Sequence, residues 1–362
     1  MHFMAPSDKT DLEKLGVFLR ANFRLDQRIE AINNRKIYSL EIELTRRCNL
    51  ECNYCYNSSS RSPGIPDFDF NLLKRVLREA YDYGIRSITY LGGEPTLHPE
   101  LKDIIKFTKT IGMEEVVLYT NGTLLDDVLL EVINEYVDSI VIHLDSVDKI
   151  VFSEVHDIDI DTSYRFHESI LRNIHILKSS GYDSKQIRLC LTLFRSSYES
   201  LEKTLRWAIH EEGMLTSIFI PVVPIGKGTQ ITSKNQLSLN EIQDAYNIRA
   251  KIENRRELLT LGPSEYFKQY QLTVAYITSH GDILPYAGVE HSVGNIINSS
   301  LSDILRENAL LIYFGLNDFG VQNNCLVGKC NKCINETYCF GTRVNGQHDN
   351  IFYTNSDRFC WI

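Results

Sequence analysis

No stretch of this 362-residue chain approaches the roughly 18–20 consecutive apolar residues that a membrane-spanning helix needs. The N-terminus also lacks the basic start and apolar centre of a secretory signal, since Asp8, Asp11 and Glu13 fall within it. A cytoplasmic protein with no membrane partner is therefore expected. Basic residues are not in excess either: 38 Lys and Arg stand against 47 Asp and Glu, a formal net charge of -9. Nucleic-acid and anionic-membrane partners are not expected, because neutralising phosphates takes a basic field, although a local basic pocket could still exist. No internal repeat and no low-complexity tract is visible, which argues against a repeat array.

With 43% hydrophobic and 23% charged residues, the chain can build one large α/β domain and a smaller appendage. Nine cysteines, an odd number, gather at 48–55 and 325–360 with Cys190 alone between them. In a reducing compartment such clustering reads as metal ligation rather than a disulfide framework.

Residues 1–35 read as a helical lead-in, with Leu12, Leu15 and Leu19 at helical spacing. A strand-then-helix rhythm follows. The expected strands are Ile37–Leu44, Ser87–Leu91, Val116–Tyr119, Ser139–Leu144, Ile187–Leu193 and Ser217–Val223. Amphipathic helices lie between them, one presenting Leu72, Leu73, Val76, Leu77 and Ala80, another Ile170, Leu171, Ile174 and Leu177. Gly84, Gly112, Gly181 and Gly213 are spaced as helix C-caps. Six such alternations argue for a parallel sheet with helical crossovers, curled into an open, partial (β/α)6 barrel that works at the C-terminal ends of its strands. Four segments are expected: the lead-in 1–35, the barrel 36–228, a helical linker 229–270 and a cysteine-rich unit 271–362. The polar stretch Gly226–Leu239 marks the boundary, a helix spans about Leu239–Leu259, and a hairpin turns at His280–Gly281–Asp282.

Directly after the first strand stands Thr45-Arg46-Arg47-Cys48-Asn49-Leu50-Glu51-Cys52-Asn53-Tyr54-Cys55-Tyr56. Three thiolates in so short a loop can hold three irons of a cubane 4Fe–4S cluster and leave the fourth iron open. The alternatives are a structural zinc site, which would want a fourth ligand that no nearby His or Cys supplies, or buried thiols. The two intervals between these cysteines, together with the aromatic Tyr54 before the last of them, resemble the signature of the radical S-adenosylmethionine (SAM) superfamily. The resemblance covers roughly 36–225 and, more weakly, 270–362. It implies a TIM-type partial barrel, SAM bound at the open iron, and one-electron cleavage to a 5′-deoxyadenosyl radical that takes a hydrogen atom from substrate. A one-electron donor such as a flavodoxin or ferredoxin is implied with it.

Further elements fit the resemblance. Leu91-Gly92-Gly93-Glu94-Pro95 ends the second strand, where the family holds the ammonium group of SAM, so Gly93 and Glu94 are candidate acceptors; read alone, it is an ordinary strand-to-helix turn. Asn121, in Thr120-Asn121-Gly122, either contacts SAM or makes an Asx turn. Asp145, after the fourth strand, either meets the ribose hydroxyls or caps the following segment.

In the fifth strand, alternation sets Leu189, Leu191 and Leu193 outward and Arg188, Cys190 and Thr192 into the lumen. Arg188 could bind a carboxylate of SAM or substrate. Cys190 could give a hydrogen atom to a substrate radical, or be simply a buried thiol. Glu41 and Glu43 are likewise expected inward, paired with Arg188 or another cation, since an unpaired buried charge is costly.

At the C-terminus, Cys330, Cys333, Cys339 and Cys360 supply four thiolates, enough to saturate a second 4Fe–4S cluster or a zinc ion. Their spacing resembles the SPASM or Twitch extension of radical SAM maturases, and a similar run occurs in enzymes that modify tetrapyrrole side chains. Tyr286 and Arg343 stand where a full SPASM unit has cysteines, so one auxiliary cluster is expected rather than two. Cys325 is left over. Two enzyme readings follow: modification of a peptide or protein side chain, or dehydrogenation, epimerisation or decarboxylation of a small metabolite or tetrapyrrole. About 35 residues before the barrel are too few for a fused leader-peptide-binding domain. A third reading is a non-catalytic zinc-binding interaction protein.

Overall fold

The structure, a computed structural model, describes residues 24–34, 36–231, 234–256, 259, 262–263, 268–288, 292–306, 328–333, 339 and 360–362. Leu12, Leu15, Leu19, Cys325 and Arg343 lie outside them.

Helix α1 (Leu25–Asn33) leads into a repeating alternation. β1 (Ser39–Thr45), α2 (Phe70–Tyr83), β2 (Ser87–Gly92), α3 (Leu101–Thr110), β3 (Glu115–Thr120), α4 (Asp127–Tyr136) and β4 (Ser139–His143) come first. Two helices follow, α5 (Lys149–Ser153) and α6 (Ile160–Ser179), then β5 (Ile187–Leu193), α7 (Arg195–Glu199), α8 (Leu201–Arg206) and β6 (Leu215–Pro221). Beyond the barrel lie α9 (Leu239–Ile252), α10 (Lys268–Gln271), β7 (Val274–Ile277), β8 (Asp282–Leu284), β9 (Gly294–Asn295) and α11 (Leu301–Arg306).

Strands β1 to β6 pair in parallel, each with its neighbour in sequence. This is the expected partial (β/α)6 arrangement, with every crossover made by helices. The sequence pattern does not announce one feature: β7 pairs in parallel with β1, and β8 and β9 add to it as an antiparallel hairpin. The chain after the barrel thus returns as three more strands of one sheet, whose order is β6-β5-β4-β3-β2-β1-β7-β8-β9.

Strand alternation sorts the residues as expected. Leu40, Ile42 and Leu44 of β1 and Leu189, Leu191 and Leu193 of β5 join the core under the helices. α2 shows why the helices form where they do. The Asp69 side chain caps it by accepting from Leu72 N, Gly84 ends it at φ 112°, and Phe70, Leu73, Val76, Leu77 and Ala80 are its buried face. α9 stops at Ile252 rather than continuing to Leu259, because Asn254 turns the backbone left-handed at φ 53°. No helix among the described residues is long and apolar enough to cross a membrane.

Candidate functional site

A cavity of about 280 Å³ opens at the C-terminal ends of the strands. Cys48, Cys52 and Cys55 all line it, on the loop that follows β1. Backbone from distant segments fixes that loop. Cys48 N donates to Ser60 O at 2.8 Å, Asn53 N to Val155 O at 2.9 Å, and Lys227 N to Cys55 O at 2.9 Å. Burial pushes the Cys48 thiol up to about 11, helped by the Glu94 charge, and burial with the neighbouring Cys48 and Cys55 pushes Cys52 well above its ordinary value. Thiols so placed ionise only with a cationic partner.

Among the described residues, no three His, Cys, Asp or Glu side chains converge as ligands of a single metal ion do. Three thiols lining one cavity, with no fourth ligand among the described residues, are a donor set that a polynuclear iron–sulfur cluster accepts.

The glycines of the second loop act on this loop directly. An added Cβ at Gly92, whose φ is 145°, would overlap the Thr45 carbonyl oxygen, and one at Gly93 would overlap the Arg47 carbonyl oxygen. Gly93 N also donates to Thr45 O at 2.7 Å. Only residues without side chains let β2 lie this close to the cysteine loop. Gly226 does the same from beyond β6, against the carbonyls of Cys55 and Tyr56. The segment read as a domain boundary thus begins as part of the site wall. A Gly-x-Gly just past a strand was the available signal.

Gly92, Gly93, Asn121, Tyr54 and Cys190 line the cavity; Glu94, Pro95, Asp145 and Arg188 do not. The Glu94 carboxylate is fully buried and faces inward. It accepts from Thr96 N, Thr96 Oγ1, Thr120 Oγ1 and Asn121 N at 2.6–3.0 Å, while burial pushes its carboxyl up. Pro95 starts a short helical turn beside it. Asn121 makes the Asx turn: its Oδ1 accepts from Thr123 N at 3.0 Å, while its Nδ2 donates to Asn49 Oδ1 at 2.8 Å and reaches to 3.9 Å of Cys48 Sγ.

Asp145 sits behind the wall, where the Tyr54 hydroxyl and Thr192 N donate to it. His143, which lines the cavity, lies 3.2 Å from Asp145 and 2.7 Å from the Tyr54 hydroxyl. Burial opposes charge on both members of this pair. Their mutual attraction outweighs it, holding His143 well above the ordinary imidazole value and Asp145 below the usual carboxylate range. Sequence reasoning misses His143; its place at the lumen end of β4, two residues on from Val141, is the only signal.

Arg188 lies at the far end of β5, where its Nε donates to Ser139 Oγ at 3.1 Å. Glu43 pairs with Arg46 at 3.0 Å instead, and it accepts from Asn57, the Tyr276 hydroxyl and Ser279 N. In the C-terminal module a helical turn brings Cys330 and Cys333 together, with Cys333 N donating to Cys330 O at 3.4 Å. Cys360 lies against Gly262, and the neighbouring Trp361 packs on Tyr246 of α9 with ring centroids 5.1 Å apart. None of the described cysteines is in a disulfide.

Comparison with known proteins matches residues 42–208 to the Radical SAM superfamily. The chain is 27% identical over 256 residues to a probable GTP 3′,8-cyclase of Sulfurisphaera tokodaii, an alignment covering 70% of this chain and 74% of that protein. Of other matched cyclases it spans as little as 40%. It is 24% identical over 326 residues to AlbA, an antilisterial bacteriocin subtilosin biosynthesis protein of Bacillus subtilis, over 86% of this chain and 68% of that one. Among solved structures, Streptococcus suis SuiB bound to S-adenosylmethionine has a TM-score of 0.68 at 21% identity, covering 94% of this chain and 81% of that chain.

Proposed function

We propose that the chain is a radical SAM enzyme with a C-terminal extension, as the match of residues 42–208 to that superfamily supports, and that it modifies a side chain of a peptide or protein. One observation carries the reading: among the described residues that line the cavity there is no Lys or Arg. A nucleoside triphosphate or a carboxylate-rich tetrapyrrole would bring several negative charges into this space, and sites for such groups recruit Arg and Lys. Leu50, Leu91, Ile220, Val222 and Ile225 with Tyr119 and Tyr286 offer an apolar and aromatic wall instead. That suits a side chain entering from solvent. AlbA, related over most of this chain, is named for the biosynthesis of a bacteriocin.

In the proposed site Cys48, Cys52 and Cys55 would hold a 4Fe–4S cluster, which with SAM would supply the one-electron chemistry that removes a hydrogen atom from substrate. The chain's own residues orient and exclude. The Gly92–Gly93 backbone and Asn121 would border SAM, and the Asp145–His143–Tyr54 group keeps the adjoining wall rigid and charged. Cys190 is the thiol within reach of substrate, since it lines the cavity beside His143. Cys330, Cys333, Cys339 and Cys360 would hold a second cluster once brought together, since among the described residues no three of them converge as ligands of a single ion.

The second reading is a small-molecule reaction, favoured by the 27% identity to a probable GTP 3′,8-cyclase. Label transfer separates the two. Reduced, reconstituted protein is given SAM with deuterated peptides or deuterated GTP, and 5′-deoxyadenosine is analysed by mass. Deuterium from peptide alone is expected. Deuterium from GTP would overturn the reading.

A further inference from the structure

Glu43, near the C-terminal end of β1, is fully buried, and it is not one of the residues that line the cavity. Its carboxylate accepts four hydrogen bonds. Oε1 takes Arg46 Nε at 3.0 Å and Ser279 N at 3.1 Å. Oε2 takes Asn57 Nδ2 at 2.9 Å and the Tyr276 hydroxyl at 3.0 Å. Each oxygen thus has one donor from the cysteine loop and one from the extension. On the loop side, Arg46 precedes Cys48 and Asn57 follows Cys55, so the carboxylate joins both stems of the segment that carries the three thiols. On the extension side, Tyr276 belongs to β7 and Ser279 lies in the turn after it.

A carboxylate suits this place because it offers about four acceptor positions and no donor. Burying its charge is costly unless donors meet it, and here four do, one of them cationic. An amide in its place would turn an NH2 group toward two donors, whichever way it lay. Tyr276 is anchored in turn: its ring packs with Leu91 and Leu284, and its hydroxyl also reaches Tyr56, the residue after Cys55. Beyond β8 the same extension supplies Tyr286, Ala287 and Gly288 to the cavity wall.

We infer that the Glu43 carboxylate is a clasp, a positioning residue that fixes both stems of the cysteine loop against the extension, so that the loop keeps its cluster only while the extension is seated on β1. The inference rests on reading Cys48, Cys52 and Cys55 as cluster ligands, and it deepens that reading: the extension belongs to the cluster site as well as to the cavity wall.

The test uses the reconstituted full chain, incubated with EDTA, sampled over time and then chemically reduced. The part of its electron paramagnetic resonance signal that added SAM alters reports a cluster with an open iron, not one saturated by four cysteines. Tyr276→Phe removes one hydroxyl and keeps the ring; Asn57→Ala removes the loop's donor to the same oxygen. Each is expected to speed the loss of the SAM-sensitive signal by about tenfold, the size of one hydrogen bond to a charged group. Glu43→Gln should speed it by about 100-fold or more, since it disturbs all four bonds. Tyr90→Phe is the control: it deletes another buried hydroxyl, bonded to Thr108 of α3, and should leave the rate unchanged. A general loss of stability would move both tyrosine variants alike.

The wild-type rate in Tyr276→Phe or in Asn57→Ala overturns the clasp, and so does equal acceleration in Tyr276→Phe and Tyr90→Phe. Each single-donor variant decides alone should the other not fold. The parent reading fails separately: a wild type with no SAM-sensitive signal has no open-iron cluster at this loop, and the clasp then falls with it.

Discussion

The two walls of the cavity are built in different ways. On the cysteine side, backbone meets backbone: Gly92 against Thr45, Gly93 against Arg47, and Gly226 against Cys55 and Tyr56. On the side formed by β1 and the extension, side chains meet side chains: Arg28 on Tyr270, Tyr270 on Glu41, and Tyr276 on Glu43. Backbone contacts admit almost no substitution beyond glycine, so the first wall is fixed in shape and suited to chemistry that does not vary. Side-chain contacts can be exchanged without moving the chain, so the second wall tolerates substitution better.

That division can be broken experimentally. The largest effect is expected from Gly93→Ala, which forces a Cβ into the Arg47 carbonyl. Iron incorporation at the loop should fall sharply, and 5′-deoxyadenosine formation should drop by about 100-fold or more, as misplacement of a reacting group by about 1 Å does. Gly181→Ala is the control: it meets a penalty for positive φ, 96°, that Gly93→Ala does not, but its Cβ points into open space. It should cost about 1 kcal/mol of stability and leave iron content unchanged. Equal iron loss in both variants would contradict the backbone-built wall.

A middle-sized effect is expected on the other wall. Arg28→Leu leaves the Thr273 and Ser39 hydroxyls without their donor and frees the Tyr270 ring. Thermal or denaturant unfolding should show a loss of about 2 kcal/mol, the cost of a broken buried network less the relief of desolvating a charge. Iron content should stay at the wild-type level, because no cysteine-loop contact is touched.

The smallest effect belongs to a region outside both walls. Glu241 caps α9 with Ser238 and pairs with Arg195, whose side chain holds its carboxyl down at about 2. A carboxyl lowered in the folded state lends stability above its unfolded value near 4, and that stability is lost as pH falls through about 2. Because the pair is partly exposed, Glu241→Gln should cost only about 0.5–1 kcal/mol at neutral pH. The difference from wild type should vanish in unfolding measured toward the acid end of that window.

How legible each wall is in the sequence follows from the same division. Backbone-built features leave local marks: three cysteines within eight residues after a strand, two glycines at the end of the next, and a C-capping glycine after each of several helices. Leucine alternation in β5 likewise separates the inner face from the outer one by local pattern alone. What could not be read depends on residues far apart in the chain. Tyr54 meets His143 across 89 positions, and Tyr270 meets Glu41 across 229. No local pattern announces that β7 will pair with β1, because the hairpin's own alternation fits a separate sheet equally well. Glu94 shows a subtler limit. Its motif marks the loop correctly but cannot tell that the carboxylate turns inward to bind Thr96, Thr120 and Asn121. Arg188 alternates into the lumen as expected, but strand position alone does not reveal that it sits at the end away from the cavity.

The central claim is that Cys48, Cys52 and Cys55 hold a cluster at which SAM is split. The direct measurement is 5′-deoxyadenosine released by anaerobically reconstituted, chemically reduced protein, read against its iron and zinc content. Wild type should bind iron and release the nucleoside, and Cys52→Ala should release none. Reduced wild type that holds iron at this loop but yields no 5′-deoxyadenosine, or that takes up only zinc there, would contradict the account.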